Sequence, residues 1–355
     1  LLYLLLNYLI NYDETLLNLN HLYAYFAVII FYYFTLRISI FNYLEDDLIT
    51  IAKYLSLGLL LILLIGILDY ILLQNKLFTE DFLPITQANK VSGIVYSLDG
   101  IRSTIWARPR GFFTEPTILA YAVISMAPIA IAYSYYYKSN ISYFIYFFLF
   151  TIIIILTRSA AGIYSLFLAL LITRIIFINN IKISFKIRHI NLFLLVLFVF
   201  FISLLVYFFR DDVMHFISVL YGKLVFVNSE TLSISAIGRT ERWFYTLYYY
   251  TNSDFLKIVF GYGPGYESAG GLEGGTTASW FLNILLDYGI IGFLLIITAF
   301  FGAAINILKK NNEFQFWLMV SLLFCAINLF THTGFYFPFV WLIFILTNLT
   351  INGKK

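Results

Sequence analysis

The chain has 355 residues, of which 61% are hydrophobic and 12% charged, with a formal net charge of +3 and a mean hydropathy of +0.88. A soluble domain carries about 25% charged residues, so half that share excludes an ordinary water-soluble globule, and basic residues this scattered exclude a nucleic-acid partner. One cysteine, Cys325, excludes an intramolecular disulfide framework.

Runs of about 20 apolar residues recur, each long enough to cross a bilayer. Hydrocarbon offers the backbone no hydrogen-bond partner outside a helix, so each run is expected to be helical despite its Ile, Phe and Tyr content. The chain therefore reads as an all-α polytopic membrane protein, a single membrane domain over 1–355. Its first residue is leucine, so the N-terminus is expected to be incomplete, and no signal peptide is read there. Expected spans lie at 1–12, 21–37, 50–73, 115–137, 141–156, 160–178, 191–209, 289–308, 314–331 and 335–351.

Placing the short loops 138–140, 179–190 and 309–313 and the C-terminal end on one side collects eleven Lys and Arg there, among them Lys53, Lys138 and Lys310. The short loops of the other side hold only Arg158. The positive-inside rule makes the first side cytoplasmic, so the long connections 74–114 and 210–275 both face outward. The outer side holds seven Arg and four Lys, the inner side three and eight. Lysine suffices for topology, whereas arginine offers a planar fork for phosphate or carboxylate, so the outer loops are expected to hold an anion.

In chain order, Asp69 comes first, near the outer end of its span, where it either pairs with an arginine or reaches the interface. The outer loop 74–114 then closes on Arg102, Arg108 and Arg110, followed by Thr114-Glu115-Pro116. Thr114 suits an N-cap and Pro116 a first helical position. Two readings stand side by side: a plain helix start, or arginines at the mouth of a bundle with Glu115 at its rim. Next, Thr157-Arg158-Ser159-Ala160-Ala161-Gly162 joins two spans. A charge in so tight a connection at membrane depth is a functional candidate by default, and the small residues after it let a helix or ligand approach closely.

The second outer loop, 210–275, opens with an apolar stretch, Val213 to Val227, expected as a helix on the bundle or in the interface. Then comes 236–292, which gathers charge, aromatic rings and glycine in a chain of hydrocarbon. Arg239, Arg242 and Trp243 fall within about one helical turn, and Tyr248, Tyr249 and Tyr250 follow. Aromatic faces stack on sugar rings, and tyrosines also anchor a bilayer surface. The GYGPGYESAGGLEGG run lacks the Lys-Ser/Thr of a phosphate loop. It reads as irregular backbone that approaches something closely and leaves several N–H groups free. No HExxH or Cys/His spacing suggests a metal site.

The pattern Arg239-x-Glu241-x-Trp243, then about twenty residues, Gly261-Tyr-Gly263-Pro-Gly265 and a short helix into Gly289-Ile-Ile-Gly292 resembles the signature of the O-antigen ligase/polymerase superfamily. Thr157-Arg158-Ser159 is similar to the short arginine motif upstream in those proteins, and Gly111-Phe-Phe-Thr-Glu115-Pro116 resembles their first outer region. The resemblance runs from residue 108 to 292. It implies a bundle of about ten or more transmembrane helices of the GT-C glycosyltransferase type, in a bacterial inner (cytoplasmic) membrane with its site facing the periplasm. It implies undecaprenyl-diphosphate-linked oligosaccharide as donor and acceptor, membrane lipid as surroundings, a chain-length regulator as a candidate partner, and neither cofactor nor metal.

On that resemblance the catalytic residues are Arg158 and Arg239, holding the diphosphate, with Glu115 and Glu241 as candidates for the base. Arg108, Arg110, Arg242, Trp243, Gly261, Gly263 and Gly265 are expected to bind substrate. Fixed arginines stabilise the charge that a leaving diphosphate gains in the transition state, and an alcohol acceptor gains from a general base. Ligases of the superfamily carry a histidine about eleven residues ahead of the closing Gly-x-x-Gly. Here that place holds Ala278 and then Ser279, and 236–292 contains no histidine. The expected reaction is therefore polymerisation of repeat units into surface polysaccharide. Ligation, including protein O-oligosaccharyl transfer, is the alternative, and flipping of lipid-linked sugars a second one, against which stands the lack of paired broken helices or an internal repeat.

Overall fold

The computed structural model describes residues 2–11, 19–27, 30, 45–74, 109, 111, 113, 116–137, 140–157, 159–177, 234–266, 279–309, 313–331 and 338–348. Among these the regular elements are helices, with no strand. In chain order they are α1 (Leu2–Ile10), α2 (Leu19–Ala27), α3 (Glu45–Gln74), α4 (Pro116–Tyr137), α5 (Asn140–Thr157), α6 (Ala160–Phe177), α7 (Ile234–Thr251), α8 (Phe255–Phe260), α9 (Trp280–Leu308), α10 (Glu313–Leu329) and α11 (Pro338–Asn348). Helices fall on at least part of every expected span but one. The span expected over 191–209 lies outside the described residues, as does the stretch from Val213 to Val227.

Three stretches, Thr50–Leu72, Thr117–Ser134 and Trp280–Leu308, are long and apolar enough to cross a membrane. At 1.5 Å per residue they reach roughly 27–44 Å, against a hydrocarbon core about 30 Å thick. α4 begins at Pro116, the expected place, because a first-turn proline lacks only an N–H that the helix leaves unbonded anyway.

The contacts divide the chain into two compact units. One comprises Leu1–Leu48, Glu230–Asn311 and Leu322–Lys355, the other Ile49–Ser229 with Asn312–Ser321. In the second unit α4 packs against α5 and α6. Its Ala120, Ala122, Ala127, Ala130 and Ala132 are all fully buried, and such small side chains are what allow helices to approach where apolar surface alone drives no association. In the first unit α9 is the hub, packing against α1, α7, α8 and α11.

Candidate functional site

The second unit holds the first two motif regions. Arg108, Arg110, Glu115 and Arg158 lie outside the described residues, but their flanks are in place. Ser159 precedes α6 and its Oγ accepts from the Gly162 N–H at 3.3 Å, an N-cap bond. A Cβ at Gly162 would lie 2.8 Å from Ile124 Cδ1 of α4. The small residues after Arg158 therefore admit a neighbouring helix, one of the two uses expected of them. Asp69 does not reach an interface: it is fully buried in α3, and its Oδ2 accepts from the Gly111 N–H at 2.9 Å. One buried carboxylate thus pins the backbone immediately after Arg108-Pro109-Arg110.

The first unit holds the main motif. α7 carries Arg239, Glu241, Arg242 and Trp243 in consecutive turns. The side chains of Arg239 and Glu241 are outside the described set; Arg242 is exposed and Trp243 half-buried. Successive helical residues turn by about 100°, and this sends the three consecutive tyrosines to three places. Tyr248 is exposed. Tyr249 joins a ring cluster with Tyr262 and Tyr266, its hydroxyl 2.6 Å from that of Tyr266. Tyr250 is buried and donates to the Ile258 carbonyl. Phe244 and Tyr248, one turn apart, stand out with Phe255 and Leu256 as exposed apolar groups, the position of interfacial anchors.

α7 ends where Asn252 and Thr251 turn back onto the Tyr248 carbonyl. α8 follows and stops at Gly261, whose N–H donates to Lys257 O at 2.8 Å. The turn from Gly261 to Tyr266 is then strapped to α9. That helix is broken at Gly289, which sits at φ 62° and ψ −168°. A break of this kind strands the carbonyls of the turn before it, and buried carbonyls need partners. Tyr262 N–H donates to Leu286 O at 2.8 Å and Gly263 N–H to Asp287 O at 3.0 Å, while the Tyr3 hydroxyl of α1 donates to Tyr288 O at 2.6 Å. The Asp287 carboxylate completes the strap, Oδ2 accepting from Gly265 N–H at 3.0 Å and Oδ1 from Tyr266 N–H at 3.1 Å.

The expectation that the glycine run leaves its N–H groups free is therefore corrected for Gly261 to Tyr266. Gly261, Gly263 and Gly265 all donate within the fold, to the Lys257 carbonyl of α8, to the Asp287 carbonyl stranded by the break in α9, and to the Asp287 carboxylate. The glycines are needed for close approach instead. A Cβ at Gly261 would lie 2.5 Å from the Asp287 carbonyl, and one at Gly289 would lie 2.3 Å from Val259 O. Both residues also have positive φ, 81° and 62°. With both carboxylate oxygens accepting from backbone N–H groups, Asp287 is a structural clamp.

Two features went unread in the sequence. Tyr3, Asn7 and Asn11 recur every four residues in an otherwise aliphatic segment, which places them on one face of α1. Asn7 donates to the Phe260 carbonyl, and the Asn11 Oδ1 accepts from Lys257 Nζ at 2.9 Å. Lys257 also sits 5.2 Å from the centre of the Tyr262 ring. α1 is thus a polar strut for the α8–α9 junction as well as an apolar helix. The second feature is on α7: Trp243 Nε1 and Thr246 Oγ1, three residues apart on one face, are buried with no hydrogen-bond partner among the described residues. Arg239 stands one turn before Trp243 in the same register.

Burial pushes the phenols of Tyr249 and Tyr262 up to about 12. The Tyr266 hydroxyl adds to the rise at Tyr249, whereas at Tyr262 the Ser253 hydroxyl opposes it. Burial likewise raises Tyr250, against the pull of the Ile290 backbone N–H. These tyrosines are neutral hydrogen-bonding groups at ordinary pH.

No protein-family model, no curated protein and no solved structure matches the chain.

Proposed function

We propose that the chain is a membrane glycosyltransferase that polymerises lipid-linked oligosaccharide repeat units. On this reading it belongs to the O-antigen ligase/polymerase superfamily, as a GT-C type bundle of about ten or more spans in a bacterial cytoplasmic membrane, with its site on the outer face. Arg158 and Arg239 hold the diphosphate of an undecaprenyl-diphosphate-linked chain, assisted by Arg108, Arg110 and Arg242. The bond between the anomeric carbon and the diphosphate oxygen breaks. A sugar hydroxyl of a second lipid-linked unit forms the new glycosidic bond, and its proton passes to Glu115 or Glu241. The leaving lipid diphosphate carries away the bonding electron pair, and the fixed guanidinium groups stabilise that charge without reorganising.

The observation that supports this reading is the pair of buried polar atoms on α7, Trp243 Nε1 and Thr246 Oγ1, that have no partner among the described residues and stand in register with the Arg239-x-Glu241-x-Trp243 pattern. Buried polar groups without partners are uncommon and call for an explanation, and sugar hydroxyls are ligands that supply one. The test is the polysaccharide profile of cells whose only copy is Arg158→Ala or Arg239→Ala, with membrane insertion and folding confirmed. The expected outcome is single repeat units in place of long chains. Normal chain lengths in both variants contradict the proposal, and polymer of normal length that stays on its lipid carrier without reaching a final acceptor would support ligation in its place.

A further inference from the structure

The second unit encloses a cavity of about 220 Å³ that has no part in the reaction proposed above. It lies where the first turns of the apolar stretch of α3, the last turns of α4 and the first turns of α5 come together. Its polar lining includes Lys53, Tyr133 and Ser134, and its apolar wall Leu57, Leu60 and Ile145. Some of the polar groups at this end are used by the fold: Tyr146 donates its hydroxyl to Ser56 O at 2.9 Å, and the Ser56 hydroxyl donates to Ala52 O at 2.7 Å. Two are not. Ser134 is fully buried and its Oγ has no partner among the described residues. Lys53 has the Tyr54 ring at 6.0 Å, and no carboxylate among the described residues pairs with it.

We propose that this cavity binds the headgroup of an anionic phospholipid, with the phosphate on Lys53 and a phosphate or glycerol oxygen on Ser134. Lys53 is three residues inside the apolar stretch that starts at Thr50, the depth at which a lysine ammonium meets lipid phosphates. One cation and one hydroxyl suit a phosphodiester of single charge; a diphosphate would need more positive charge than the cavity lining provides. The tail also has a track. Leu57, at the cavity, begins an exposed stripe that continues through Leu61, Leu64 and Leu68 along the outside of α3. That stripe is roughly 16 Å long, about half the thickness of a hydrocarbon core, which is the reach of one acyl chain. The proposal does not depend on the reaction assigned to the chain.

The test uses the delipidated full chain in detergent, titrated with phosphatidylglycerol or phosphatidylcholine and read by native mass spectrometry. One phosphatidylglycerol per chain is expected to be retained in preference to phosphatidylcholine. Lys53→Gln should weaken retention about tenfold and Ser134→Ala about threefold, while Lys309→Gln, at an exposed lysine elsewhere, leaves it unchanged. Lys53→Arg should keep binding, which separates loss of charge from loss of fold. Equal retention of the two lipids overturns the proposal, as does unaltered phosphatidylglycerol retention in folded Lys53→Gln. Displacement of the lipid by free glycerol 3-phosphate at the same concentration would assign the cavity to a soluble phosphate and overturn the lipid reading.

Discussion

α7 and the turn that follows it are neighbours in sequence, rich in the same residue types, and they use them in opposite ways. From Gly261 to Tyr266 the backbone donors described above all have acceptors, supplied by Lys257, by the stranded carbonyls of α9 and by Asp287. On α7, Trp243 Nε1 and Thr246 Oγ1 are buried with no partner among the described residues. The glycine-rich turn, which looks like a ligand loop in the sequence, is a fully bonded brace. The helix before it, which carries the charged and aromatic motif, holds two polar atoms with no partner among the described residues.

The largest expected effect breaks the brace. Gly289→Ala places a Cβ against the Val259 carbonyl in a backbone region essentially reserved for glycine, at a cost of about 3 kcal/mol or more. The variant should unfold at markedly lower temperature in detergent, with little folded protein recovered by size-exclusion chromatography; wild-type melting would show that the break in α9 is not needed. Asp287→Asn comes next. It replaces one of two acceptors with a donor facing the backbone N–H of Gly265 or Tyr266, a loss of about 1–3 kcal/mol. Because the carboxylate is a clamp and not a base, the protein that does fold should polymerise with an unchanged pH profile, and a shifted profile would return Asp287 to the chemistry.

How far the sequence reaches is visible in these same residues. The helices were legible because 20-residue apolar runs leave the backbone few alternatives, and Pro116 marked a start that needs no long-range information. A short helix running into Gly289 was also legible, since the Gly-x-x-Gly pattern marks it. What the turn donates to was not legible. The acceptors for Gly263, Gly265 and Tyr266 all belong to Asp287, more than twenty residues away, and the carbonyl among them is free only because α9 breaks where it does. The break in α9 needs no ligand to close it: its stranded carbonyls are met by donors of the same chain. The Tyr3, Asn7, Asn11 stripe was present as a four-residue period and went unread because apolar length dominated that segment.

The other half of the comparison predicts smaller changes in stability. Thr246→Val removes a buried hydroxyl with no partner, so melting should stay within about 1 kcal/mol of wild type or rise, while the polysaccharide shortens. Trp243→Phe should behave alike. A clear loss of stability in Thr246→Val would mean that its hydroxyl serves the fold. The smallest effect is at alkaline pH. Tyr249 and Tyr262 titrate at about 12 in the folded chain, against about 10 for an unperturbed phenol. A raised folded pKa contributes stability that is complete below about pH 10 and lost as pH climbs toward 12. The double variant Tyr249→Phe, Tyr262→Phe should therefore show a shallower decline in melting temperature across that window, and an unchanged decline would remove these two phenols from the cause.

The most direct measurement is product length in a reconstituted system: purified chain in lipid vesicles, given lipid-linked repeat units as the sole substrate, with glycan resolved on a gel. The account predicts a ladder of products two or more units long, absent with Arg239→Ala and reduced with Thr246→Val. A wild-type chain that leaves every glycan at a single unit, while moving it across the bilayer, contradicts the account.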